Sequence, residues 1–216
     1  MPVYMLDEDI WFPPVDGARE DGLLAVGGDL KPKRLMLAYM YGIFPWYNDD
    51  SQILWWCPKE RYVIYPSEIH VSRSMKKFMK KTDFTVTLCK DFDGVIEHCR
   101  ALREHADGTW ITDGMEAAYK KIFRLGYGIS VEVWDGNGKM VGGLYGLSIG
   151  RVFYGESMFS LAENASKLAL ITLSRFLEAH DFEMIDCQFH TEHLESMGGR
   201  YISYEEYMEH VKKGLA

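Results

Sequence analysis

A mixed α/β fold is what this chain predicts, and three patterns predict it. Residues 129–159 alternate apolar and polar side chains in three runs, parted by Asp135-Gly136-Asn137-Gly138 and by Gly150, which is the pattern of an antiparallel meander. Residues 164–179 carry apolar side chains three and four apart, the spacing of a helix that covers a sheet. Residues 184–189 follow as a short apolar run fit for a buried strand. Helices before a meander, then a helix and one more strand, make an α/β (α+β) arrangement with a mixed central sheet.

The elements divide the chain in two. The first sixty residues hold four of the six tryptophans and little periodicity, so residues 1–60 read as a small, irregular, aromatic-rich N-terminal domain. Its one clear helix starts at Pro32, a favoured first helical position, and carries Leu35, Ala38 and Tyr39 on one side until Gly42. Trp11-Phe12-Pro13-Pro14, Gly27-Gly28-Asp29 and Phe44-Pro45-Trp46 read as loops around it, with Trp55 and Trp56 packed between the domains. Residues 61–216 are regular. Strands are expected at 61–65 and 84–88, and helices at 72–81, 92–104, 113–125 and 204–213, beside the meander, helix and strand already described. No internal repeat is visible.

Composition narrows the function. The chain of 216 residues is 47% hydrophobic and 26% charged, as expected of a globular protein with a sizeable core. A net charge of −8 disfavours indiscriminate binding to polyanions. Cys57, Cys89, Cys99 and Cys187 show no CxxC spacing, which points to reduced thiols. His190 and His193 lack an HExxH context or a third ligand, so neither a metal nor another cofactor is expected. The N-terminus has neither a basic n-region nor an apolar h-region, and no run approaches the ~18 apolar residues of a membrane span. A cytoplasmic protein is expected.

Two short strands carry the candidate chemistry. Successive strand side chains point to opposite faces, so in Ile185-Asp186-Cys187-Gln188 the residues Asp186 and Gln188 are expected on one face and Cys187 on the other. Tyr154, Glu156 and Met158 are expected to share a face likewise. Carboxylates in such apolar strands cost several kcal/mol if buried without partners. They mark either a site or a hydrogen-bonded structural network. Elsewhere Arg73, Lys76, Lys77, Lys80 and Lys81 fall on one helix face with Met75, Phe78 and Met79 opposite. That face is either simply solvated or a landing site for a phosphate backbone.

Taken together, the motifs resemble one family. Asp21–Leu30, Gly42-Ile43-Phe44-Pro45-Trp46, Leu54-Trp55-Trp56, His70–Ser74, Gly108–Thr112, Val141–Gly146, Gly155–Ser160 with Asn164-Ala165-Ser166-Lys167, and Ile185–Gln188 occur in order over nearly the whole length. In these the chain resembles the bacterial leucyl/phenylalanyl-tRNA–protein transferases. The resemblance implies a GNAT-like acyltransferase domain behind a small N-terminal domain. It implies transfer of Leu or Phe, with Met a further candidate, from aminoacyl-tRNA to the α-amine of proteins beginning with Arg or Lys, which marks them for degradation. A monomer working on charged tRNA and acceptor protein, away from membranes, is expected.

The resemblance also directs the roles. Gln188 is expected to orient the incoming amine, Asp186 to polarise or orient Gln188, and Glu156 to meet the cationic acceptor terminus. The acceptor of the amine's proton stays open, with the ribose hydroxyl and water both candidates. Tyr145, Phe153, Met158 and Phe159 are expected to form the donor's apolar pocket, Trp46 and Trp110 to stack on the terminal adenosine, and Tyr39 to join the substrate-binding set. Arg73, Lys76, Lys77, Lys80 and Lys81 become the tRNA-binding face. CoA-dependent relatives of the wider class carry a glycine-rich pyrophosphate loop before the central helix. Here that junction reads Ser160-Leu161-Ala162-Glu163-Asn164-Ala165, with an acid and no glycine, which counts against acyl-CoA as donor. A tRNA-binding module without catalysis is the other competing reading, disfavoured by acids that would repel phosphate.

Overall fold

The computed structural model of the protein describes residues 3–48, 51–104 and 111–216. The chain begins with β1 (Tyr4–Leu6), β2 (Leu23–Gly27), α1 (Pro32–Met40), β3 (Phe44–Pro45) and β4 (Leu54–Trp56). These four strands form a small sheet in the order β1-β2-β4-β3, with β1 and β2 parallel. Two stretches expected as loops, around Gly27 and Phe44-Pro45, are thus partly strand. Strands of two to five residues are too short to show a period, and pairing through the backbone makes them.

The rest of the chain builds a second, larger sheet. It runs β5 (Glu60–Ile64), α2 (Arg73–Met79), β6 (Thr85–Leu88), α3 (Phe92–Glu104), α4 (Asp113–Arg124), β7 (Gly128–Trp134), β8 (Met140–Ile149), β9 (Val152–Ser160), α5 (Ala165–Glu178), β10 (Met184–Gln188), α6 (Glu192–Ser196), β11 (Arg200–Ser203) and α7 (Tyr204–Leu215). The strand order is β11-β5-β10-β9-β8-β7-β6. Only β9 and β10 pair in parallel, joined by α5, so the sheet is mixed as expected. Helix α6 and strand β11 were not legible: one is five residues and the other four.

Both faces of the large sheet are covered. Leu168, Ile171 and Leu173 of α5 and Met75 of α2 pack on one face with Ile64, Val131 and Ile185. On the other face Val95 and Ile96 of α3, Met115 and Ile122 of α4 and Val211 of α7 pack together with Leu24, Leu35 and Trp55. The small sheet therefore shares one core with the large one, and α1 reaches the centre of the molecule. Caps agree with the local sequence: the hydroxyls of Ser72, Thr112 and Ser203 accept the N3 amides of α2, α4 and α7. Glycine sets the middle of β8. A Cβ on Gly142 would press into Ala165 of α5, and one on Gly146 would overlap the Tyr154 carbonyl and the Phe153 ring.

Candidate functional site

Two β-bulges lie side by side where β9 and β10 part. These strands pair from Met184↔Val152 to Asp186↔Tyr154 and no further. Just beyond, Tyr145↔Ser157 and Gly146↔Gly155 leave Glu156 as the extra residue of β9. On β10, Asp186↔Val63 and Gln188↔Tyr62 leave Cys187 extra, and Gln188 takes the left-handed conformation at φ 57°. The strands diverge into a cavity of about 650 Å³. Bulges at such a place re-aim side chains.

The bulges overturn both same-face expectations. Tyr154 packs in the core beside α1, whereas Met158 packs in the core beneath α5, because the extra residue reverses the alternation between them. On β10 the carboxylate of Asp186 turns away and is fully buried, while Cys187 and Gln188 both line the cavity. A strict period of two predicts the reverse, and a bulge is invisible to it.

Asp186 is held on all sides. Its Oδ2 accepts from Arg61 Nε at 3.1 Å and from the Tyr207 hydroxyl at 2.9 Å, and its Oδ1 accepts the Gln188 backbone N–H at 2.9 Å. The Arg61 guanidinium lies between the rings of Phe44 and Tyr207, 4.7 Å from each centroid, and Nη2 donates to Gly42 O at 2.6 Å. Burial alone would favour a neutral Arg61, but the Asp186 carboxylate outweighs it and the guanidinium stays cationic. Asp186 is therefore a partner of Arg61 that pins the turn carrying Gln188. It does not reach the cavity.

Glu156 does reach it. The Tyr39 hydroxyl donates to Glu156 Oε1 at 2.5 Å and lies 2.7 Å from the Tyr119 hydroxyl. Burial pushes the Glu156 carboxyl up to about 7, against hydrogen bonds from both tyrosines that favour the ionised form. Burial and the adjacent carboxylate in turn hold both phenols well above their ordinary range. Tyr39, expected to touch substrate, is fully buried behind Glu156 and does not line this cavity. Tyr119 was missed, because a tyrosine among apolar helix residues reads as core.

The remaining predicted residues sort by place. Tyr145, Phe153, Met158 and Phe159 all line the cavity, joined by Leu170, Leu173, Ile185 and Leu194, which the sequence did not single out. Trp46 stands at its edge, exposed, with Phe189 at 5.3 Å and Trp56 at 5.8 Å between ring centroids. Trp110 lies outside the described residues. Arg73, Lys76, Lys77, Lys80 and Lys81 are exposed and do not line the cavity, with Met75 buried beneath them as expected. Lys80 caps α2 and Lys81 follows it, so the last two charges sit past the helix proper. Among the described residues no His, Cys, Asp and Glu cluster is fit to hold a metal ion, and no helix is long and apolar enough to cross a membrane.

Known proteins are similar to this chain in sequence. Residues 63–212 match the family model described as leucyl/phenylalanyl-tRNA protein transferase, and residues 28–59 match the N-terminal domain of the same family. A leucyl/phenylalanyl-tRNA–protein transferase of Pseudomonas entomophila (strain L48) is 49% identical over the whole chain and 96% of that protein. One of Syntrophus aciditrophicus (strain SB) is 51% identical over the whole chain and 90% of that protein. Similarity also extends, far more weakly, to a solved structure. L-PGS from Bacillus licheniformis is 9% identical, with a TM-score of 0.40 over 80% of this chain and 57% of that one.

Proposed function

The chain belongs to the leucyl/phenylalanyl-tRNA–protein transferase family, and from that premise we propose how its cavity performs the reaction. The protein is an aminoacyltransferase that moves Leu or Phe from aminoacyl-tRNA to a protein amine. We read the acceptor as the α-amine of a protein beginning with Arg or Lys, the product as a mark for proteolysis, and the enzyme as a cytoplasmic monomer with a GNAT-like main domain.

The observation that carries the mechanism is the pair of bulges, which bring Gln188 and Glu156 to one cavity whose wall is mostly apolar. The donor's side chain enters among Phe153, Met158, Leu170 and Ile185; Met and aromatic side chains can repack to accept both Leu and Phe. Trp46 stacks on the terminal adenosine, a contact worth about 1–3 kcal/mol. Gln188 orients the amine by hydrogen bonding. Glu156 attracts the cationic acceptor and, with its carboxyl at about 7, takes a proton as the amine attacks. A C–N bond forms at the ester carbonyl, the C–O bond to the ribose breaks, and the ribose oxygen leaves with a proton. The ester is already activated, so neither ATP nor CoA enters, and holding two reactants in register lowers the barrier by several kcal/mol. The exposed lysines of α2 hold the tRNA backbone.

Transfer of labelled Phe from charged tRNA to a peptide beginning with Arg, without CoA or ATP, tests this reading. Product with the free amine and none with the acetylated peptide is expected. Acetyl transfer from acetyl-CoA to the same peptide, without use of the charged tRNA, would overturn it.

A further inference from the structure

One wall of the cavity carries polar groups that the mechanism above leaves unused. Ser166, in the first turn of α5, and His193, on α6, both line it. The Ser166 N–H donates to Ser160 Oγ at 3.2 Å, which fixes the end of β9 against the helix. Nε2 of His193 is buried and has no hydrogen-bond partner among the described residues. Lys167, beside Ser166, is half-buried and forms no ion pair among them, although most other half-buried cations here are paired. Burial, and after it the Lys167 ammonium, hold the His193 imidazole neutral and hence a donor through one ring nitrogen.

Lys167 does not itself line the cavity, but it follows Ser166, which does, and it lies close enough to His193 to act on its imidazole. A cation without an ion pair among the described residues, beside an imidazole whose Nε2 has no partner there, asks for an anion. The donor supplies one. Its terminal adenosine carries a 5′-phosphodiester one nucleoside away from the ester, near enough to meet the rim while the aminoacyl group fills the cavity. We propose that Lys167 and His193 cradle this last phosphodiester and so set the depth at which the ester carbonyl stands. The reading rests on the aminoacyl-tRNA donor proposed above. Glu163, whose carboxylate accepts from Asn164 at 3.3 Å, is exposed and opposes a second charge. That charge favours a single phosphate over a pyrophosphate, in keeping with a tRNA end in place of a nucleotide coenzyme.

Two stable amide analogues of the charged end test it: 3′-phenylalanylamido-adenosine and its 5′-monophosphate, each used to compete with charged tRNA in the transfer assay. In the wild-type protein the phosphate is expected to tighten inhibition about tenfold, the order of one charge-assisted contact. Lys167→Ala is expected to remove most of that gain, Lys167→Arg to restore it, and His193→Ala to reduce it where His193→Gln does not. Equal inhibition by the two analogues, or a phosphate gain that survives Lys167→Ala, would overturn the cradle and leave the functional reading standing. Competition by neither analogue would strike the functional reading itself.

Discussion

At the scale of single residues, the structure separates the three polar groups that the sequence placed together. Gln188 and Glu156 meet the cavity, whereas Asp186 is spent on Arg61, Tyr207 and the Gln188 amide. Their variants should part accordingly. Asp186→Asn leaves the Arg61 guanidinium buried without a counter-ion, and breaking such a pair costs roughly 3–5 kcal/mol. Chemical denaturation of the purified variant should show that loss beside a fall in kcat. Gln188→Gly should lower kcat as strongly yet leave the denaturation midpoint equal or higher, because glycine adopts the positive φ without strain. If Asp186→Asn were as stable as the wild type, its pinning role would be wrong. The presence of these groups was legible, since carboxylates in apolar strands are costly without a purpose. Their partners were not: Arg61 and Tyr119 become significant only through contacts with residues 125 and 80 positions away, Asp186 and Tyr39.

At the scale of elements, the meander and the long helices were readable because their periods persist over many residues. Helix α3 coincides with its expected span, residues 92–104, and α5 and α7 come within two residues of theirs. The bulges in β9 and β10 were not readable, although each decides where a functional side chain points. Gly146 is the trace that one of them leaves in the sequence. Gly146→Ala would drive a methyl group into the Tyr154 carbonyl opposite, so the bulge must shift or the strands separate. An overpacking cost of about 1–3 kcal/mol is expected. Because Glu156 is carried by that bulge, kcat should fall further than the loss of stability explains. An unchanged kcat in a folded Gly146→Ala protein would show that the bulge does not position Glu156.

At the scale of the whole molecule, we propose that an acidic protein engages a polyanion through one local basic face. Net charge −8 gives no hint of this, but five cations without an intervening acid do. Lys76→Glu with Lys80→Glu should raise KM for charged tRNA and flatten its dependence on salt, each lost phosphate contact lowering the log–log slope by about 0.7–0.9. Inhibition by the short adenosine analogues should be unaffected, since they do not reach α2. The two sheets share one core, so α1 of the small sheet delivers Tyr39 to the Glu156 of the large one. The hydrogen bond from Tyr39 lowers the proton affinity of Glu156, against the burial that raises its carboxyl to about 7. The most direct test is the pH dependence of kcat for peptide acceptor at saturating charged tRNA, in the wild type and in Glu156→Gln. A carboxyl raised to about 7 must lose its proton before it can accept one, so the wild-type rate should climb with pH through about 7. In Glu156→Gln that limb should vanish, leaving a slower rate that rises only with the acceptor's own α-amine, near pH 7.7–8.0. The same inflection near 7 in both proteins would contradict the account.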